Sequence, residues 1–72
     1  MTGRAWIEAF AARLDVGPPD DETIDQLLAL AAVAAHQSER IAAPIACYLV
    51  GLCGLDPARA GELAAAIHPS DD

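Results

Sequence analysis

Ile24-Asp-Gln-Leu-Leu-Ala-Leu-Ala-Ala-Val-Ala-Ala35 is the stretch whose reading decides the fold. It is dominated by alanine and leucine, the strongest helix formers, and contains neither glycine nor proline. Ile24, Leu27, Leu28, Ala31, Ala34 and Ala35 fall on one helical face, while Leu30 and Val33 fall on the other. The second half is therefore apolar nearly all round, which predicts a helix over about 23–39 at the centre of the fold. Just upstream, Thr23-Ile-Asp-Gln26 has the spacing of a capping box. Asp20, Asp21 and Glu22 complement the positive end of such a helix. With Asp25 they lack the spacing of a calcium loop, so they read as a solvated cap.

Working outward, punctuation marks three more helices. Trp6, Ile7, Phe10 and Leu14 share a narrow arc, predicting a helix over 3–15 stopped by Gly17-Pro18-Pro19. Trp6 reads as its core anchor. Pro44 suits a first helical turn, and Gly54 suits a C-terminal cap, predicting a helix over 44–53. Asp56-Pro57 then supplies an N-cap and first residue for a helix over 57–68, with Ala60, Leu63, Ala64 and Ile67 inward. Pro69-Ser-Asp-Asp72 reads as a frayed tail. The expectation is one all-α domain, a compact bundle of four short helices.

Composition narrows the function classes. Eleven acidic residues oppose four arginines, with no lysine, for a net charge of −7. Nucleic acid is a poor partner for such a chain, because phosphate binding needs a basic stripe. An anionic membrane surface is disfavoured for the same reason. The longest apolar run, Ile41 to Leu55, contains Pro44 and Gly51 and is shorter than the roughly 20 residues a spanning helix needs. Met1-Thr-Gly-Arg-Ala-Trp6 lacks the basic-then-apolar layout of a signal peptide. A cytoplasmic protein with reduced thiols is expected.

Seventeen alanines inflate the 54% hydrophobic content, and they bury little area. Two helices that look apolar on every side cannot both be covered by four short ones. Something outside the chain should cover the remainder, and a homodimer is the simplest solution. Tyr48, Cys47 and Gly51 are the interface candidates, the small residues allowing a second helix to approach. Tyr48 otherwise reads as core.

Little in the sequence suggests catalysis. Cys47 and Cys53 lie on different faces of one helix and cannot bridge; with apolar neighbours they read as small buried hydrophobes. No second Cys/His pair completes a zinc site, no phosphate loop or serine elbow is present, and no cofactor is implied. One constellation stands out: His36, Arg40 and Pro44. His36 and Arg40 are i, i+4 neighbours at the end of the second helix, on one face. The free N–H groups at the start of the third helix follow at once, so the cluster could grip a phosphate or carboxylate. Equally, His36 and Arg40 could simply complement the helix C-terminus, as could His68 at the end of the last helix.

Trp6, the run from Ile24, the segment Ala34-Ala-His36-Gln-Ser-Glu-Arg40-Ile-Ala-Ala-Pro44 and Tyr48-Leu-Val-Gly51-Leu together carry a resemblance. The chain resembles, over nearly its whole length, a small actinobacterial domain of unknown function. That domain stands alone or is appended to the C-terminus of molybdenum cofactor guanylyltransferases. Ile41 departs from the pattern, which has proline or a small residue there. The resemblance implies a non-catalytic accessory domain of molybdopterin-guanine dinucleotide biosynthesis, docking with the guanylyltransferase or a molybdoenzyme. His36 and Arg40 would then touch the cofactor's phosphate or an acidic partner surface. An anion- or nucleotide-binding module and a purely structural dimerisation module remain the alternatives.

Overall fold

The computed structural model describes residues 1–67, so the expectations for His68 and for the tail from Pro69 lie outside it. Four helices follow one another: α1 (Gly3–Arg13), α2 (Asp21–Gln37), α3 (Ala42–Cys53) and α4 (Pro57–Ala65). No strand occurs among the described residues, and the domain is all-helical.

Each boundary has a local cause. The Thr2 hydroxyl accepts the Ala5 N–H at 3.0 Å and starts α1. That helix ends before Gly17, because Asp15 itself takes the left-handed conformation, φ 60°. The Val16 N–H then returns to the Ala11 carbonyl and the Asp15 N–H to that of Ala12, closing the turn. An aspartate tolerates this region better than most residues, through its short polar side chain.

Helix α2 begins two residues before the expected start at 23, and its cap lies three residues before the Thr23 of the capping-box spacing. Its cap is Asp20, whose carboxylate accepts the Thr23 N–H at 2.8 Å. That bond, with the Thr23 hydroxyl, holds the Asp20 carboxyl below its ordinary value. The folded-state pKa is depressed, so the contribution is present above the unfolded carboxylate value of about 3.9 and is lost as pH falls below it. Asp20→Ala should therefore lower the melting temperature at pH 7 and leave it almost unchanged at pH 2; thermal melts by circular dichroism at both pH values check this. Helix α2 stops at Gln37, where the Ser38 hydroxyl donates to the Ala34 carbonyl at 2.7 Å and the Ser38 backbone leaves helical geometry.

The end of α3 and the start of α4 have the predicted punctuation, while α3 begins at Ala42 rather than Pro44 and α4 ends at Ala65. Gly54 sits at φ 69° and its N–H closes on the Val50 carbonyl. Asp56 accepts the Ala58 N–H at 3.4 Å, and Pro57 occupies the first turn of α4.

Helix α2 is central, since α3 and α4 both pack along it, while α1 makes far less contact with the rest. The core is thin. Only Ala11, Leu30 and Ala60 are buried among the described apolar residues. Leu30, at 3% exposure, was expected on the less favoured side of α2, whereas Leu28, expected inward, is exposed. The reason is tertiary: with α3 and α4 both on α2, the covered arc is broad and turned toward Leu30. Trp6 at 54% and Tyr48 at 64% are not core residues either. The accessible surface is 5464 Å². A compact monomer of this mass would show roughly 4200 Å².

Candidate interaction surface

The sequence-predicted cluster does not assemble as the spacing suggests. His36 lies exposed in the last turn of α2. Arg40 lies outside that helix, in the turn that follows, because Ser38 has already ended α2. The i, i+4 relation between the two cations therefore does not exist. Pro44 is the third residue of α3 rather than its first, and it too is exposed.

The start of α3 offers little to an anion. Its Ala42 N–H donates to the Glu39 carbonyl at 2.9 Å, and the Ala43 N–H to the Arg40 carbonyl at 3.2 Å. Pro44 has no N–H to give. Two of the donors that would hold a phosphate are thus occupied and a third is missing, so anion binding here would rest mainly on the side chains of His36 and Arg40.

The cysteines separate. Cys47 is half-buried against α2, its sulfur 4.0 Å from the Leu27 carbonyl oxygen, and Cys53 is exposed. The expectation that both are buried is therefore not met for Cys53, which sits in the last turn of α3, beyond the part of the helix that faces α2. No group of three or more metal-ligating side chains gathers among the described residues. No helix there is long and apolar enough to cross a membrane.

What the structure brings together instead is apolar surface, on two sides. On α1, Trp6 and Phe10 stack at 5.0 Å between ring centroids, and Leu14 continues the same exposed stripe. The helix is tied to the start of α2 by an ion pair between Arg4 and Asp21. Below it lies a cleft of about 550 Å³ bordered by Ile7, Ile24 and Leu28.

On α3, Ile41, Ile45, Tyr48 and Leu52 are 72%, 57%, 64% and 68% exposed. They are spaced four, three and four apart, the interval of a helix–helix seam. The inner face of α3, with Ala42, Ala43, Ala46, Cys47 and Val50, is the covered one. Sequence reasoning named Tyr48 but missed its seam companions; the four-three-four spacing was visible but hidden by a helix apolar on every side. Between α3 and α4 an open groove of about 560 Å³ is lined by Leu30, Ala34, Ile45, Leu49 and Ile67.

Such a molecule is a small helical domain whose main chemical offering is exposed apolar surface. Residues 1–70 match the family described as a domain of unknown function, DUF6457. The chain belongs to that family. No curated protein and no solved structure matches it.

Proposed function

We propose that this domain is a non-catalytic accessory module that docks onto a protein of molybdenum cofactor biosynthesis, with the guanylyltransferase as the first candidate and a molybdoenzyme as the second. The observation that carries the docking reading is the Trp6–Phe10–Leu14 stripe, exposed on a helix that contributes little to the core. A contiguous apolar patch that the chain itself does not cover is what a binding surface looks like before its partner arrives. Tryptophan is the side chain most enriched among residues that dominate interface energies. The choice of partner comes from the sequence resemblance over nearly the whole chain. His36 and Arg40, both exposed, are available to a phosphate or an acidic surface on that partner.

Trp6 is the sole tryptophan, so it reports its own burial. Adding a guanylyltransferase that lacks tryptophan near its docking surface should shift the emission of Trp6 to the blue. Trp6→Ala should weaken retention on the immobilised enzyme by roughly 30-fold, the effect of an anchor of about 2 kcal/mol. If neither the guanylyltransferase nor a molybdoenzyme shifts the emission or retains the chain at tens of micromolar, the proposal is wrong.

A further inference from the structure

We infer that the outer face of α3 is a homodimer interface, with the seam of Ile41, Ile45, Tyr48 and Leu52 packed against the same seam of a second copy across a two-fold axis. This goes beyond the docking of a different protein, and it rests on other observations. The first is charge. No Asp, Glu, Arg, Lys or His lies within Ile41–Leu55, and two chains of net charge −7 repel wherever their charged surfaces meet. The α3 face is where two copies can touch without opposing like charges. An acidic or basic partner would gain nothing there.

The second is area. The surface exceeds that of a compact 7.5 kDa monomer by roughly 1200 Å², and a standard interface removes about 800 Å² from each partner. One self-complementary contact is of the size needed to bring the surface toward the normal range. The third is pattern. The four-three-four spacing suits two helices lying side by side, each side chain entering a gap on the other. The seam is centred between Ile45 and Tyr48, so Tyr48 meets its own counterpart if the two α3 helices run parallel and the Ile45 position of the second copy if they run antiparallel. Its hydroxyl can stay at the wet rim while the ring is buried. Gly51 flanks the seam, and a Cβ placed there would meet nothing within 4 Å, so the partner helix can come close.

Sedimentation equilibrium on the full chain at tens of micromolar should give twice the 7.5 kDa chain mass. Tyr48→Asp buries two unpaired carboxylates in the seam and should weaken association by roughly a hundredfold or more, leaving the helical circular dichroism signal of the dilute chain in place. In a background of Cys47→Ala and Cys53→Ala, Ile45→Cys together with Tyr48→Cys should form a disulfide-linked dimer on mild oxidation, whichever way the two helices run. A wild-type chain that sediments as a monomer overturns the inference. So does a dimer that survives Tyr48→Asp unchanged, which would move the contact to another face such as the α1 stripe. Should Tyr48→Asp fail to fold, the cross-link decides: no covalent dimer, no α3 interface. A monomer that still binds the guanylyltransferase would sink this inference and leave the proposed function standing; a dimer that binds no partner would do the reverse.

Discussion

Leu30→Ala is expected to remove about half of the protein's stability. Leu30 is the one large side chain buried among the described residues, at the centre of α2 where α3 and α4 both pack. Truncating a buried leucine costs about 3–5 kcal/mol, counting both lost transfer energy and the cavity left behind. A domain of this length has roughly 4–11 kcal/mol in total. Neighbouring alanines cannot collapse to fill the hole, so the cost should fall in the upper part of that range. Leu28→Ala, on the same helix but exposed, is the matched comparison and should cost under about 1 kcal/mol. Urea titration of both variants at one protein concentration checks the contrast; equal losses would mean that Leu30 is not the centre of the core.

Ala60→Asp should be nearly as damaging, and its effect should depend on pH. Ala60 is buried where α4 meets α2. A carboxylate there has no buried partner, and leaving a charge unpaired in such a place costs about 3–5 kcal/mol. Burial raises the folded-state pKa of the new carboxyl above its unfolded value of about 3.9. The charged-state penalty is therefore complete at pH 7 and shrinks as pH falls through the folded-state value. Below the unfolded value, only the cost of burying a neutral carboxyl remains. Ala60→Asn carries the polar cost without the titration, so its deficit relative to wild type should be nearly flat with pH. A deficit in Ala60→Asp that stayed constant from pH 7 to pH 3 would show that the aspartate reaches water.

These two positions also mark the limit of what the sequence made legible. Helix-end chemistry is local, so Gly54, Asp56 and Pro57 could be placed from residue type alone. Asp20 could be seen as part of a cap but not as the cap, because Thr23 offered a competing start and only the finished backbone chooses between them. Asp15 was hidden behind the stronger signal of Gly17-Pro18-Pro19. Leu30 could not be ranked above Leu28, since an apolar pattern on all sides leaves the inward direction to tertiary packing. The same feature concealed the outer seam of α3. As for the candidate site, the His36–Arg40 pairing assumed a helix that continues past Ser38. The backbone of Ser38 leaves helical geometry instead, with its hydroxyl bonded back to the Ala34 carbonyl.

Helix α1 differs in kind from the other three. It is fastened through the Arg4–Asp21 ion pair and the Ala11 contact, and it is linked to α2 by the short segment from Leu14 to Asp20. Exposed ion pairs contribute little, and screening by salt weakens them further. Helix α1 is therefore expected to open at a lower free energy than global unfolding, so that its amide protons exchange ahead of those of α2, α3 and α4. Such an arm could be exchanged between two copies or laid against another protein without dismantling the body that carries it.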